Sequence, residues 1–182
     1  MYNEINILKT REKRKLIYKE SLFFRVLDTL FSYFLISMIP FVSIINIYHN
    51  SFSERSIIYL LLSIILYGFL VYSTINVTKL RSFQGIDYTE NRKHILKILE
   101  KTNWKINVKR SDLIIAREDF HLLSWDWGKE LVIIFEKNEI LINCISFGQS
   151  QMKSPFHWFV NRNRENEIIR KFTKAQQKLQ KE

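Results

Sequence analysis

The acidic side chain with the most unusual sequence context is Asp126, which lies between Trp125 and Trp127 in the string SWDWG at 124–128. Apolar surroundings raise the pKa of a carboxyl group and suit it to proton transfer. This context predicts, as one hypothesis, a membrane-bound enzyme acting on a lipidic or small-molecule substrate near Asp126. The alternative, which we favour, is a solvent-facing aspartate beside a turn while the two tryptophans pack in a core.

The other groups that could act in catalysis or metal binding are one thiol and four imidazoles. Cys144 lies among apolar residues, which predicts a buried, unreactive thiol, and as the single cysteine it excludes an internal disulfide. The histidines at 49, 94, 121 and 157 have no second ligand at a spacing typical of a metal site. Phosphate-binding glycine loops and nucleophile motifs are missing as well. The sequence therefore predicts no catalytic residue, no cofactor and no metal.

Most of the net charge of +10 lies in two segments. Residues 1–25 contain seven basic and three acidic residues, residues 150–182 contain eight and three, and residues 83–149 contain ten of each. Each basic residue near an anionic membrane surface contributes about 1 kcal/mol of attraction. The two basic segments therefore predict contact with anionic lipid headgroups. The residues expected to make this contact are Lys13, Arg14, Lys15, Arg162, Arg164, Arg170 and Lys171.

Two other interpretations of the basic segments are open. They could be an ordinary solvated surface combined with the charges that orient a membrane protein. They could also bind nucleic acid, because the string HWFVNRNR at 157–164 places aromatic side chains beside basic ones. Nucleic acid is the less favoured partner, since no recognised nucleic-acid-binding motif accompanies this string.

Two long uncharged runs predict a transmembrane helical hairpin. Residues 29–48 and 56–78 form runs of 20 and 23 residues, and a helix needs about 20 to cross the hydrocarbon core of a bilayer. The seven residues HNSFSER join the runs, so the two helices must be antiparallel. Within them Pro40 predicts a kink, and the small residues Ser37, Ser43, Ser63 and Gly68 allow a close approach of the helices. Because neither run contains Asp, Glu, Lys, Arg or His, a channel or transporter is not expected.

Basic residues also predict the orientation of the hairpin. Seven precede the first run, Lys79 and Arg81 follow the second, and the connection holds only Arg55. By the positive-inside rule both termini are cytoplasmic. We predict a basic cytoplasmic arm at 1–25, a hairpin at 26–80 with spans at about 27–48 and 56–78, and a cytoplasmic α+β domain at 83–182.

Periodicity within residues 83–182 predicts a helix, an antiparallel sheet of four to five strands and a C-terminal helix. The first helix begins near Thr89 and ends near Thr102. Strands are expected at 104–108, 113–116, 123–127, 131–135 and 140–145. The last two form a hairpin around Lys137 and Asn138, with Asn138 able to adopt a positive φ. The C-terminal helix begins at a cap formed by Asn163.

The two spans followed by WKI, SDLIIARE, LVIIFEKNEILIN and NRNRENEIIRKF resemble, in layout, small uncharacterised bacterial membrane proteins. Such proteins have two spans and a C-terminal cytoplasmic α+β domain. The resemblance implies an inner-membrane location but no activity and no site residues. The neutral segment 83–149, the basic segments on either side of it and the missing catalytic motifs instead predict a multi-pass protein that acts as a membrane-tethered interaction or assembly module. Its expected partners are the lipid bilayer and either another protein or a second copy of the chain.

Overall fold

The computed structural model of the protein describes residues 4–19, 21–50, 53–102, 104–118, 128–148 and 153–179. The chain divides into two compact units. The hairpin unit comprises Met1–Glu4 and Tyr18–Val77, and the α+β unit comprises Ile5–Ile17 and Thr78–Glu182. Residues 5–17, which the charge pattern groups with an N-terminal arm, are therefore part of the α+β unit.

The described residues form five α-helices and five β-strands. The helices are α1 (Ile7–Lys13), α2 (Leu22–Asn50), α3 (Glu54–Asn76), α4 (Tyr88–Glu100) and α5 (Trp158–Leu179). The strands are β1 (Arg81–Gln84), β2 (Lys105–Lys109), β3 (Leu113–Glu118), β4 (Lys129–Phe135) and β5 (Glu139–Ser146). A single 3₁₀ turn at Pro155–His157 leads directly into α5.

The hairpin unit consists of α2 and α3 packed against each other. Both helices are long and apolar enough to cross a membrane, over Val26–His49 and Glu54–Asn76, which confirms the prediction of two such helices. Ser63 and Ser73 of α3 are buried, and their hydroxyls bond to carbonyls of their own helix. Small side chains of this kind let two helix backbones approach closely. The prediction of close approach at Gly68 is wrong, because Gly68 is exposed and has nothing within 4 Å of an added Cβ.

The α+β unit is built on an antiparallel sheet with strand order β1-β5-β4-β3-β2. The predicted hairpin of β4 and β5 is present, with Phe135 opposite Ile140. The Glu136 N–H bonds to the Glu139 carbonyl at 2.8 Å across the two-residue turn. Asn138 has a negative φ, contrary to expectation: in the described ranges only Arg14 and Gly128 have positive φ.

The strand β1 was not predicted, because RSFQ contains one large apolar residue and shows no extended alternation. Its extended state depends on pairing with β5, where Phe83 lies opposite Ile140. The predicted strand at 123–127 lies outside the described residues. The five described strands therefore include β1 in place of that segment.

The main core lies between one face of the sheet and the two helices α4 and α5. Full burial of an aliphatic or aromatic side chain stabilises the folded state by roughly 1.5–3 kcal/mol. Ile95 and Leu99 of α4, and Ile168 and Phe172 of α5, meet sheet residues that include Ile133 and Ile142.

α4 begins after a capping residue, whereas α5 continues directly from a 3₁₀ turn. α4 is capped by Asp87, whose carboxylate accepts a hydrogen bond from the Thr89 N–H at 3.1 Å. The prediction that Asn163 caps α5 is wrong, because α5 begins at Trp158 and Asn163 lies inside it. Pro155 begins the 3₁₀ turn that leads into α5, and proline is favoured in a first turn because no N–H is needed there.

Candidate functional site

The N-terminal basic residues belong to a folded segment. The Asn6 side chain caps α1 by accepting a hydrogen bond from the Lys9 N–H at 3.2 Å. After α1 the chain pairs with the residues that precede β1: the Leu16 N–H bonds to the Thr78 carbonyl at 2.8 Å, and the Leu80 N–H bonds to the Arg14 carbonyl at 3.0 Å. These bonds fix the backbone around Lys13, Arg14 and Lys15.

Arg14 is engaged within the α+β unit. Its guanidinium lies 2.9 Å from the Glu139 carboxylate and 3.5 Å from that of Glu136, both beside the turn between β4 and β5. Partial burial acts to raise the pKa of Glu139, but hydrogen bonds from Ser82 and Arg14 outweigh it and leave that pKa below its ordinary value. Much of the Arg14 charge is therefore compensated inside the fold.

Lys13, Arg14 and Lys15 are all exposed, but Lys13 and Lys15 differ from Arg14 because neither amine has an ion pair in the described part of the chain. Lys15 lies at an isolated antiparallel bridge with Lys79, which fixes its backbone without engaging its side chain. These two ammonium groups are available to an anionic surface.

Some basic residues of α5 likewise form ion pairs within the fold, whereas another is exposed. Arg164 lies 3.3 Å from Glu118 and 3.4 Å from Glu167, and Lys171 lies 2.6 Å from Glu167. These hydrogen bonds, together with the nearby charges, lower the pKa of Glu167. Arg170 is exposed and has no ion pair within the described ranges.

Arg162, the remaining predicted contact, points into the α+β unit. Its guanidinium bonds to the Glu165 carboxylate at 2.7 Å and to the Lys79 carbonyl at 2.9 Å. It also lies 5.6 Å from the centroid of the Trp158 ring, within range of a cation–π interaction. Its contacts join α5 to the segment before β1.

A buried polar cluster lies where α5 crosses β5. β1 pairs with β5 only as far as Ile142, whereas β4 pairs with β5 up to Ser146. The Cys144 N–H, beyond the end of β1, is satisfied by the Glu165 carboxylate at 2.8 Å. A buried N–H without a hydrogen-bond acceptor is costly. Glu165 therefore supplies the acceptor that a longer β1 would otherwise provide.

The same cluster determines the chemistry of the thiol. The Asn161 amide oxygen accepts a hydrogen bond from the Ser146 hydroxyl at 2.8 Å and lies 3.9 Å from the Cys144 sulfur. Burial, with the nearby Glu165 carboxylate, strongly raises the pKa of Cys144, so the thiol stays protonated at neutral pH. Burial also raises the pKa of Glu165, although Arg162 opposes this effect. Cys144 is buried, as predicted, and a protonated thiol is a poor nucleophile.

Asp126 and the rest of SWDWG before Gly128 lie outside the described residues, as does His121. The hypothesis of proton transfer at Asp126 therefore stays a prediction. Among the residues that the structure describes, no three His, Cys, Asp or Glu side chains are grouped as metal ligands would be.

An exposed aromatic surface at the start of α5 was not predicted. Phe156 and Phe159 are 55% and 61% exposed, and Val160 is also exposed. Phe159 and Val160 lie in the string HWFVNRNR, whose aromatic side chains favoured nucleic acid as one alternative, and Phe156 lies just before it. The spacing i, i+3 and i+4 places three apolar side chains on one helix face, but it does not tell whether that face is buried or exposed.

Comparison of the chain with models of protein families, with curated proteins and with solved structures gave no match.

Proposed function

We propose that this chain is a multi-pass protein of the cell inner membrane, in which α2 and α3 span the bilayer and the α+β unit is a cytoplasmic interaction or assembly module. The observation that supports it most is the exposure of large apolar side chains on both helices. Leu62 and Ile65 of α3 are 57% and 69% exposed, and Leu30 and Val42 of α2 are 62% and 61% exposed.

The cost of leaving these side chains in water favours a lipid environment. Burying apolar surface is worth about 25 cal/mol per Å². A core helix of a soluble protein buries its apolar side chains against other protein, as α4 and α5 do with Ile95, Leu99, Ile168 and Phe172. The apolar side chains of α2 and α3 instead remain exposed around much of each helix, as is typical of helices that contact lipid.

The distribution of basic residues supports the orientation. Seven basic residues precede the first uncharged run, whereas Arg55 is the only one in the short connection between the runs. The positive-inside rule places that connection outside the cytoplasm and both chain termini inside it. The α+β unit then lies in the cytoplasm.

The role as an interaction module is supported by a contrast between buried and exposed groups of the α+β unit. Cys144 and Glu165 are buried in contacts that complete the edge of β5. The exposed groups include the ammonium groups of Lys13 and Lys15 and the guanidinium of Arg170. Anionic lipid headgroups, another protein or a second copy of the chain would meet such a surface.

Alkaline carbonate extraction of membranes containing the full chain tests the anchor. We expect the chain to stay with the membrane until detergent is added. A variant with Leu62→Arg and Ile65→Arg should lose insertion, because each arginine near the centre of a span costs about 2.5–3.5 kcal/mol. Leu8→Arg is the matched control, since Leu8 is an exposed apolar residue of α1 in the α+β unit. Release of the unaltered chain by carbonate, as a dispersed monomer, would overturn the proposal.

Crosslinking in native membranes tests the interaction role. A photo-reactive residue at position 170 of α5 should give a reproducible adduct with a protein or lipid, identified by mass spectrometry. The same residue at position 97 of α4, which is also exposed and basic, serves as the control. Equal, non-specific labelling from both positions would argue against an interaction surface on α5.

A further inference from the structure

The exposed face of α5 changes in character along its length. Its first turn and the preceding 3₁₀ turn present the apolar side chains of Phe156, Phe159 and Val160. Residues three or four positions apart share a helix face, so steps of that size from Val160 lead through Asn163 and Glu167 to Arg170 and on to Lys174. Phe156, Phe159, Val160, Arg170 and Lys174 are together called the docking face.

The two cations of the docking face form no ion pair with any residue that the structure describes. Arg170 and Lys174 are both exposed. Glu167 lies between them and the aromatic end, but its carboxylate is already paired with Arg164 and Lys171. The face therefore presents apolar rings at one end and uncompensated positive charge at the other.

We propose that the docking face binds the interface of an anionic lipid bilayer, with the rings of Phe156 and Phe159 entering the headgroup region and the two cations meeting lipid phosphates. The proposal rests on the membrane anchoring proposed above, because it assigns the same bilayer to both contacts. A helix that lies in a membrane interface combines apolar and aromatic side chains with basic residues in this way.

Charge complementarity favours lipid over a second copy of this chain. In a symmetric dimer built on this face, each Arg170 and Lys174 would meet a surface whose one acidic residue, Glu167, is already in two ion pairs. An anionic leaflet instead supplies many phosphates, each basic residue contributing about 1 kcal/mol.

The chain connection makes this contact accessible. Four residues, 77–80, join the end of α3 to β1. With α3 in the bilayer, this connection tethers the docking face covalently to the membrane. Docking is then an intramolecular event at high effective concentration, so a small apolar surface with two charges is sufficient.

Depth-dependent quenching in proteoliposomes of the full chain tests the proposal. A fluorophore attached to Asn163→Cys reports on the docking face without removing any of its five residues, whereas one attached to Lys97→Cys on α4 is the matched control. Leu61→Cys on α3 reports on the span. The unaltered chain should take up little label because Cys144 is 2% exposed. Vesicles contain phosphatidylcholine alone or with phosphatidylglycerol, plus a lipid that carries a quencher either near its headgroup, to report on position 163, or in its acyl chain, to report on position 61.

We expect the reporter at 163 to be quenched in anionic vesicles and the reporter at 97 to stay unquenched. Phe156→Ser with Phe159→Ser should abolish the quenching at 163. Arg170→Gln with Lys174→Gln should lower the ratio of docked to undocked chains about 30-fold, corresponding to about 1 kcal/mol per charge, and remove the dependence on phosphatidylglycerol.

Three results would overturn the proposal, and they are distinguishable. Quenching at 61 without quenching at 163 would mean that the anchor holds but α5 does not dock. A blue-shifted emission at 163 that lipid quenchers do not affect would mean that protein, such as a second copy, covers the face. A lack of quenching at 61 would contradict the membrane anchoring, and the docking with it.

Discussion

The Glu165 carboxylate accepts a hydrogen bond from the backbone N–H of Cys144 at 2.8 Å, just beyond the point where β1 stops pairing with β5. A side chain from α5 thus completes the hydrogen bonding of β5, the second strand of the sheet. Arg162 balances the charge of Glu165 and bonds to the Lys79 carbonyl, so the same contact connects α5 to the chain before β1.

Replacing Glu165 should strongly destabilise the α+β unit. Glu165→Ala leaves the Cys144 N–H without its acceptor and Arg162 without its carboxylate, and breaking a buried ion pair from one side costs roughly 3–5 kcal/mol. Glu167→Ala is the matched control on the same helix and should cost less than about 1 kcal/mol, because its ion pairs are partly exposed. Urea unfolding in detergent, followed by tryptophan fluorescence, measures both, since all four tryptophans lie outside α2 and α3. Equal effects of the two variants would contradict this role of Glu165.

The Arg14–Glu139 ion pair should contribute to the loss of stability in acid. The pKa of Glu139 is lowered in the folded chain, so its contribution is present above the ordinary carboxyl pKa and is lost as pH falls through the lowered value. Arg14→Gln removes one cause of that shift. The urea midpoint of this variant should therefore depend less on pH between neutral and acid conditions. An unchanged pH dependence would show that the pair does not form in solution.

Glu165 should change the stability of the folded chain with pH in the direction opposite to Glu139. Its pKa is raised in the folded chain, so its contribution is fully present below the ordinary carboxyl pKa and is lost as pH rises through the raised value. Glu165→Gln should remove that loss while retaining an oxygen that can accept the Cys144 N–H. A urea midpoint that still falls over the same pH range in this variant would assign the effect to another group.

Gly85 should tolerate no side chain. An added Cβ would overlap the side-chain amide of Asn91, which is fully buried and accepts a hydrogen bond from the Ile86 N–H at 2.7 Å. Because Asn91 cannot move without losing this bond, Gly85→Ala should cost roughly 1–3 kcal/mol. Gly68→Ala is the control, because an added Cβ there meets nothing within 4 Å. Thermal unfolding of the two variants measures the difference, and equal midpoints would mean that Asn91 does not pack on Gly85.

The Cys144 thiol should be protected in the folded chain. It is buried and its pKa is strongly raised, so both access and thiolate formation are restricted. Labelling by a maleimide should be slower than in urea by about 10³-fold or more, since it requires unfolding of a core strand. Rapid labelling without denaturant would show that α5 does not cover β5.

The correctly predicted elements are those whose pattern lies within their own residues. The uncharged runs predict α2 and α3, and dense apolar runs flanking Lys137 and Asn138 predict the hairpin of β4 and β5. β1 was missed because its four residues become a strand only by pairing with β5, which lies more than fifty residues away in the chain. The start of α5 was misplaced because Asn163 suits a cap, whereas the 3₁₀ turn at Pro155–His157 begins the helix earlier.

Charge counts alone do not show which basic side chains of the predicted surface form ion pairs within the fold. Arg164 pairs with Glu118, a residue on β3 far away in sequence, and Arg14 pairs with Glu139. Such pairs follow from tertiary structure alone. For the same reason the sequence did not show that Phe156 and Phe159 lie on the surface and not in the core.

The most direct test of the membrane anchoring is the labelling of single cysteines by an impermeant maleimide on membranes of known sidedness. Glu54→Cys lies at the start of α3 next to the connection, and Lys109→Cys lies on β2 of the α+β unit. The buried Cys144 of the unaltered chain provides the background. We predict that position 54 reacts only from the outer face of the membrane and position 109 only from the cytoplasmic face. Labelling of both positions from the same side would contradict a hairpin that spans the bilayer.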